Sequence, residues 1–298
     1  MNIYKKIAEQ KKYLEDLGYN VLYIGLYGSQ NYNLDDENSD IDLRAVILPT
    51  LEQIIKRDIV SKKYETNIGD IDVKDVFTYY DVVKKGNFSF IEPMQTQWFI
   101  GDKYLRELFG KTPLNYMSCK GDMYSKAKVF RHPYPSKEKE ISKWGYDPKQ
   151  LHHIFRLLDL LELKDESISY LKYDKNNKQR QWLYDIKKNK NDIIETLHSA
   201  KYIDISTVDT IKSWIDENTK QIIPTNYKYK PVEIKDDIVK YIINKLKVDI
   251  FKTPITSARE YRTFSQGIPK NDLSKFAELK KYKNKDISYI VYETLEIL

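Results

Sequence analysis

Hydrophobic and polar positions follow two different periods in the first third of the chain. Apolar residues recur at helical spacing across Ile3–Leu17, and Gly18 is a typical helix end. Apolar runs and strict alternation follow in Val21–Tyr27, Ile41–Leu48 and Thr66–Val76, and these patterns predict strands. Helical and extended periods in one segment indicate an α+β class, with a mixed sheet and flanking helices.

Helical spacing dominates the second half of the chain. Asp147 and Pro148 are typical of a helix start, and the apolar residues that follow recur every three to four positions. Further helices are predicted at Lys178–Ile186, Asp192–His198, Ile205–Ile215, Asp236–Phe251 and Asp286–Leu298. The polar, basic stretch Lys120–Lys143 predicts a long connection. We therefore expect an α+β domain in residues 1–120, a connecting segment in 121–147 and a mainly α-helical domain in 148–298.

Two aspartates on the second predicted strand carry the first chemical signal. Asp40 and Asp42 are two residues apart, so they share one strand face, while Ile41 and Leu43 point to the other. Two like charges held together cost free energy unless a cation lies between them. Hard oxygen ligands of this kind suit Mg²⁺ or Mn²⁺.

A glycine–serine pair precedes these aspartates at the end of the first predicted strand. Gly28 permits close backbone approach, and the Ser29 hydroxyl with nearby N–H groups can cradle a phosphate. A phosphate cradle beside metal-binding carboxylates is typical of phosphoryl or nucleotidyl transfer. A calcium loop is excluded, because Ile41 and Ile47 stand where an EF-hand needs glycine and glutamate.

These residues resemble a known family. The segments GS and SDIDLR resemble the nucleotidyltransferase signature of the DNA polymerase β superfamily, and GSQNYNL followed by SDIDLRAVILP is similar to its branch of predicted RNA-repair nucleotidyltransferases. The resemblance implies that Asp40 and Asp42 bind metal and that Gly28 and Ser29 bind the incoming triphosphate. It also implies a third carboxylate from a neighbouring strand.

The third carboxylate has two candidates on the Thr66–Val76 stretch. Asp70 and Asp72 alternate with apolar residues and share a face, so the pattern alone does not choose between them. The following block, DVFTYYDVVKKGN, resembles the family and favours Asp70, with Asp72 as the alternative. Asp75 is expected to cap the next helix.

Cationic side chains are the candidates for holding the phosphates. Lys149, His153 and Arg156 align on one face of the helix that begins at Pro148, a pattern similar to the family's Lys, His and Arg helix. A solvated helix face is the alternative. Arg44 is expected either to meet a phosphate or to pair the aspartates on its own strand face. Glu92 is open between orienting substrate and an ordinary polar role.

Composition adds a few bounds to this interpretation. The 298 residues carry a net charge of +6, compatible with nucleic acid or nucleotide binding. Cys119 is the single cysteine, which excludes an intrachain disulfide and a thiolate zinc cluster. No long apolar segment indicates a membrane span, so we expect a cytoplasmic protein. Tyrosines beside lysines in Tyr227–Lys230 are compatible with base stacking or with compositional bias.

Together the patterns and the resemblance predict a metal-dependent nucleotidyltransferase. It would move a nucleoside monophosphate from an NTP to an acceptor hydroxyl and release pyrophosphate, using two Mg²⁺ or Mn²⁺ ions held by Asp40, Asp42 and Asp70. The acceptor implied by the resemblance is an RNA 3′ end. Nucleotidylation of a protein or small molecule, or a catalytically silent RNA-binding protein, are the alternatives. The sequence does not predict the oligomeric state.

Overall fold

The computed structural model describes residues 2–37, 39–163, 173–174 and 176–252. Their strands are β1 (Asn20–Tyr27), β2 (Asp42–Leu48), β3 (Ser61–Thr66), β4 (Gly69–Asp75) and β5 (Phe99–Gly101). Their α-helices are α1 (Ile3–Asp16), α2 (Leu51–Lys56), α3 (Val76–Val83), α4 (Phe88–Gln95), α5 (Lys103–Gly110), α6 (Tyr116–Val129), α7 (Glu138–Trp144), α8 (Pro148–Glu162), α9 (Lys178–Lys188), α10 (Ile193–Ser199), α11 (Val208–Thr219) and α12 (Lys235–Lys252). The expected α+β class is confirmed.

The five strands form one mixed sheet in the order β3-β4-β2-β1-β5. The central neighbours β2 and β4 are parallel, and the other neighbouring strands pair antiparallel. The register places Leu43 opposite Ile71 and Arg44 opposite Asp72. Because β2 and β4 run in the same direction, their first residues lie at the same edge of the sheet.

Strand alternation separates an apolar face from a polar one. Buried residues on the first face pack with Ile7 and Leu14 of α1; they include Ile24, Leu26, Leu43, Ala45, Ile71 and Val73. The intervening positions on β2 and β4 point to the opposite face, where α3 and α4 pack over part of the sheet. The candidate chemistry therefore lies on the face opposite α1.

Several local predictions are confirmed by the helix caps. Asp75 accepts the N–H groups of Phe77 and Thr78 at the start of α3, and Asp147 accepts the N–H of Lys149 at the start of α8. Each cap satisfies amide groups that have no acceptor within their own helix. Capping therefore sets the starting points of both helices from sequence alone.

The structure differs from the prediction in the stretch Thr66–Val76. It does not form one strand: β3 ends at Thr66 and β4 begins at Gly69, which gives an antiparallel hairpin. The turn is closed where the Thr66 hydroxyl donates to the carbonyl oxygen of Gly69 at 2.7 Å. The β3 residues preceding the turn are mostly exposed and polar, so the edge strand lacks an alternating signal.

The predicted connecting segment, residues 121–147, is also different. It contains the second half of α6 and all of α7. The helix α6 buries Cys119, Met123 and Ala127, which stand four residues apart among polar neighbours. A stripe one residue wide is too sparse to stand out from the surrounding lysines.

The described chain forms two compact units. The first comprises the described residues of Met1–Pro49 and Ile59–Val232, and the second comprises Thr50–Asp58 with residues 233–252. The predicted boundaries near residues 120 and 148 fall inside the first unit, because α8 packs against both α6 and α9. In the second unit, α12 confirms the helix predicted for Asp236–Phe251. The helix predicted for Asp286–Leu298 lies outside the described residues.

The tyrosines of the Tyr227–Lys230 stretch take part in packing. Tyr227 stacks on Tyr116 with ring centroids 5.2 Å apart, and its hydroxyl donates to the Leu114 carbonyl oxygen. Tyr229 donates to the carbonyl oxygen of Pro113. These contacts account for both aromatic side chains without a nucleic-acid base.

Candidate active site

An acidic row crosses the parallel strands at their first residues. Asp42 on β2 and Asp70 on β4 stand one position before the Leu43–Ile71 pair, and we call these two residues the acidic row. Burial raises the pKa of Asp42, and the Asp70 carboxylate raises it further, with Lys149 acting in the opposite direction. The row is thus an incompletely neutralised cluster of hard oxygen donors, which suits a divalent cation.

Asp40 borders the acidic row at the end of the loop before β2. It is exposed, and its charge adds to the raised pKa of Asp42. The side-chain amide of Gln30 donates to the carbonyl oxygens of Ser39 and Asp40 at 3.0 and 3.1 Å. Gln30, which the sequence analysis did not single out, therefore ties the glycine–serine turn to the aspartate segment.

Gly69 brings the start of β4 close to the Asp40–Asp42 segment. Its φ of +144° favours glycine, and a Cβ atom there would lie 2.5 Å from the carbonyl oxygen of Ile41. The N–H of Ile41 also donates to the Ile68 carbonyl oxygen at 2.7 Å. Only a residue without a side chain permits this approach, so Gly69 is a missed contributor to the acidic row.

A second row lies two residues further along the same strands, and it pairs one positive with one negative side chain. Arg44 Nε is 3.2 Å from Asp72 Oδ2, and Lys74 Nζ is 3.4 Å from Asp72 Oδ1; we call Arg44 and Asp72 the paired row. The Arg44 guanidinium lies 3.7 Å from the Phe90 ring centroid and 4.5 Å from that of Tyr27. Arg44 pairs with Asp72, and neither Asp40 nor Asp42 is its ion-pair partner among the described residues.

The two candidates for the third carboxylate therefore differ in their surroundings. Asp70 stands beside Asp42, whereas Asp72 is engaged by Arg44 and Lys74. The counter-charge of Asp70 is Lys63 Nζ on the edge strand β3, at 2.6 Å, and this lysine is largely exposed. An exposed lysine can move away at little cost, so Asp70 is the more available ligand.

The Gly28–Ser29 turn lies against the acidic row. Gly28 has φ +84°, and a Cβ atom there would be 3.2 Å from Asp42 Oδ2. The chain then enters a short 3₁₀ helix, Ser29–Tyr32, whose first amide groups have no acceptor within that helix. This arrangement brings a hydroxyl and amide donors next to the carboxylates.

The turn is anchored from below by α4. The N–H of Gly28 donates to Glu92 Oε1 at 2.7 Å, and the Asn31 amide donates to the same oxygen at 3.3 Å. Thr96 in turn donates to Asn31 Oδ1 at 2.7 Å. Glu92 is 1% exposed, so it cannot reach a substrate directly.

The loop after the turn is held by cationic residues of α9. Arg180 donates to the carbonyl oxygen of Asn33, Lys187 donates to that of Leu34 at 2.9 Å, and Lys188 pairs with Asp36. Three donors along one helix therefore fix residues 33–36. Sequence separation hides this contact, since α9 lies about 150 residues after the loop.

Helix α8 brings Lys149 to the acidic row but does not supply a uniform cationic stripe. Lys149 is exposed and lowers the pKa of Asp42. Burial, together with Arg156 and other nearby cations, holds the pKa of His153 well below its usual range. The lowered pKa favours the neutral imidazole, which can act as a hydrogen-bonding group, and the expected nucleotide-binding role of His153 stays a prediction.

Arg156 is also differently placed from the expected phosphate ligand. It is 7% exposed, and its guanidinium lies 4.4 Å from the Tyr32 ring centroid and 5.5 Å from that of Phe88. It is the largest charge acting to lower the pKa of the buried Glu92. Arg156 therefore lies beneath the turn with Glu92.

Two further lysines surround Lys149 that the sequence analysis did not select. Burial lowers the pKa of Lys126 on α6, and Arg156 and Lys149 lower it further. Burial likewise lowers the pKa of Lys187 on α9, with Lys149 and Lys188 acting in the same direction. No local motif marks either residue, because α6, α8 and α9 come together only in the folded chain.

The described residues contain neither a clustered metal-ligand set nor a membrane-spanning helix. No three His, Cys, Asp or Glu side chains there are arranged to hold one metal ion. No helix among the described residues is long and apolar enough to cross a membrane.

Comparison with known proteins adds no identification. No family model matches the chain, and no curated protein matches its sequence.

Proposed function

We propose that the protein is a metal-dependent nucleotidyltransferase. The observation that carries the proposal is the acidic row, Asp42 beside Asp70, with the Gly28–Ser29 turn against it and Lys149 nearby. An anion cradle directly beside clustered carboxylates is an arrangement that suits a nucleoside triphosphate with its metal ions. The polymerase-β-like form of the sheet is part of this proposal.

The donor set fits Mg²⁺ or Mn²⁺. Asp42 and Asp70 would hold the ions with Asp40 at the rim, supplying charge neutralisation of the triphosphate and a lowered pKa of the acceptor hydroxyl. The carboxylates are hard oxygen ligands, and the pKa of Asp42 is raised first by burial and then by the neighbouring Asp70 carboxylate. Lys63 would leave Asp70 when a cation enters.

The chain's own residues would position the reacting groups. The Ser29 hydroxyl and the amide groups of the turn bind phosphate oxygens, and Lys149 neutralises charge from the opposite side. The acceptor oxygen forms a bond to the α-phosphorus, the bond between the α- and β-phosphates breaks, and pyrophosphate leaves. The acceptor proton passes to solvent.

The net charge of +6 and the sequence resemblance favour an RNA 3′ end as acceptor. The test is incubation of the protein with Mg²⁺ or Mn²⁺, each labelled NTP in turn, and total cellular RNA. We expect label in RNA with wild type and none with the Asp40→Asn/Asp42→Asn double variant. Asp81→Asn is the matched control, because Asp81 is an exposed carboxylate on α3 paired with Lys84.

Each other result has a definite meaning. Label on protein or on a small molecule would move the acceptor to that class and keep nucleotidyl transfer. Salt-sensitive RNA binding without labelling under either metal would contradict the proposal and favour the silent RNA-binding alternative. Equal labelling by wild type and the double variant would exclude the acidic row as the metal site.

A further inference from the structure

The chemistry beneath the Gly28–Ser29 turn is not explained by phosphate binding alone. A carboxylate, an arginine and a tyrosine are buried there together: Glu92 at 1%, Arg156 at 7% and Tyr32 at 1% exposure. Burying charged groups costs free energy unless they are paired and hydrogen-bonded. Their location under the turn, rather than elsewhere in the core, requires a reason.

The hydrogen bonds of Glu92 supply that reason. Its Oε1 atom accepts the Gly28 N–H and the Asn31 amide, one at each end of the 3₁₀ helix's first turn. With φ +84°, Gly28 directs its own N–H inward to the carboxylate. Glu92 thus fixes the orientation of the peptide groups that precede Ser29.

Arg156 is placed to balance this carboxylate. Its Nε has no hydrogen-bond partner within the described residues, and its guanidinium is held between the Tyr32 and Phe88 rings. Burial raises the pKa of Glu92, and Arg156 is the largest charge acting against that rise. Because Tyr32 ends the 3₁₀ helix of the turn and Phe88 begins α4, the ring contacts of Arg156 link α8 to the support of the turn.

From this geometry we propose that Glu92 and Arg156 are positioning residues that act through the turn. Glu92 holds Gly28 and Ser29 in the phosphate-binding conformation, and Arg156 serves as its counter-charge instead of contacting phosphate. The inference rests on the proposed nucleotide-binding function of the turn. It assigns Arg156 a different role from that of Lys149, although both lie on α8.

The test is a double-mutant cycle on nucleotide affinity. Wild type, Glu92→Gln, Arg156→Gln and the double variant are titrated calorimetrically with Mn²⁺ and α,β-methylene analogues of the four NTPs, which cannot be cleaved. We expect each single change to weaken binding about 10-fold and the double variant to weaken it about 10-fold as well, because both act on one element. An additive loss of about 100-fold would overturn the proposal.

A conservative variant separates the two roles of the arginine and guards against misfolding. Arg156→Lys keeps the charge but loses the planar guanidinium that stacks on the Tyr32 and Phe88 rings, so we expect a smaller loss of affinity than in Arg156→Gln. An equal loss in the two variants would mean that charge is not what Arg156 supplies and would overturn the proposal. Arg131→Gln is the control for losing an arginine near aromatic rings, since its guanidinium lies 5.8 Å from the Phe130 and Tyr146 ring centroids, outside the turn.

Kinetics distinguish positioning from general weakening of the fold. The nucleotide KM should rise in Glu92→Gln while the acceptor KM stays unchanged, whereas a structural defect would alter both. If wild type binds none of the analogues, the proposed function itself fails and this inference fails with it. If wild type binds and the cycle is additive, only the inference fails.

Discussion

Two rows of side chains cross β2 and β4 on the same sheet face, two residues apart along each strand, and they differ in net charge. The acidic row joins two carboxylates, Asp42 and Asp70, and the cations that act on it include the exposed side chains of Lys63 and Lys149. The paired row joins Arg44 to Asp72 and is covered by Phe90. The paired row is neutral within the protein, whereas the acidic row is the part that we propose binds metal ions.

The difference teaches how a functional site is separated from its support. An internal arginine satisfies one aspartate permanently, because its guanidinium is enclosed by rings and a backbone carbonyl. The lysines near the acidic row are exposed, so they can move away from its carboxylates at little cost in free energy. Five experiments test this comparison, from the largest expected effect to the smallest.

The strongest test replaces one aspartate in each row. Asp70→Asn should lower nucleotidyl transfer by about 10³-fold, because a lost metal ligand removes several kcal/mol of transition-state stabilisation. Asp72→Asn should retain activity within about 10-fold and lower stability instead. Transfer rates and thermal midpoints of both variants provide the measurement, and a reversed order of activities would exchange the roles of the two rows.

The paired row should contribute strongly to the free energy of unfolding. Arg44→Met leaves Asp72 without its main partner and removes the contact with Phe90, so we expect a loss of about 3 kcal/mol in urea unfolding. The double variant Arg44→Met/Asp72→Asn should lose less than the sum of the single changes. An additive result would show that the two side chains are not coupled.

The acidic row should also depend on the glycine that allows its approach. Gly69→Ala would place a Cβ atom 2.5 Å from the Ile41 carbonyl oxygen at φ +144°, and we expect a loss of about 2 kcal/mol together with reduced transfer. Gly121→Ala in α6 is the control, since a Cβ atom there meets nothing within 4 Å. That control should gain up to about 1 kcal/mol, measured by the same unfolding experiment.

Lowering the pH should reduce the folding stability through His152 on α8 and increase it through Asp42 in the acidic row. Burial lowers the pKa of His152 to about 3, and its Nδ1–H donates to the Leu183 carbonyl oxygen at 2.9 Å. Below about pH 6.5 the unfolded state binds the proton and the folded state does not, so stability falls by up to about 1.4 kcal/mol per pH unit. The pKa of Asp42 is raised by burial, so protonation of Asp42 as the pH falls through this raised value favours the fold.

The contribution of the histidine can be isolated by substitution. His152→Asn retains a donor for the Leu183 carbonyl oxygen but does not titrate, so its unfolding free energy should vary less between pH 7 and pH 4 than that of wild type. His132→Asn, at an exposed position, should leave the pH dependence unchanged. Parallel curves for wild type and His152→Asn would contradict the assignment.

The smallest effect is expected at Lys63, the exposed lysine that pairs with Asp70 in the acidic row. Lys63→Gln removes a cation that competes for Asp70, so we expect Mn²⁺ to bind metal-free protein about two- to fivefold more tightly, as measured by calorimetry. Lys62→Gln is the neighbouring control. Lys62 lies opposite Val73 in the strand register, so alternation directs its side chain to the face that does not carry Asp70. Unchanged Mn²⁺ affinity in Lys63→Gln would mean that Asp70 does not bind the ion.

Local signals in the sequence were sufficient for much of the first unit. Helix α1, strands β1 and β2, and the caps Asp75 and Asp147 follow from periodicity and from side chains that bond to amide groups two or three residues away. These features depend on neighbours within a few residues, so a single sequence contains the information.

Only the tertiary structure shows that Asp70 and Asp72 differ in their surroundings, because alternation puts both on one face and it is the register with β2 that places Arg44 beside Asp72. The tertiary structure likewise accounts for the lowered pKa of His153, which depends on burial and on cations from other helices. Glu92 meets Gly28 across 64 residues of chain. Partners that distant are selected by packing and desolvation, which no local pattern of residue types records.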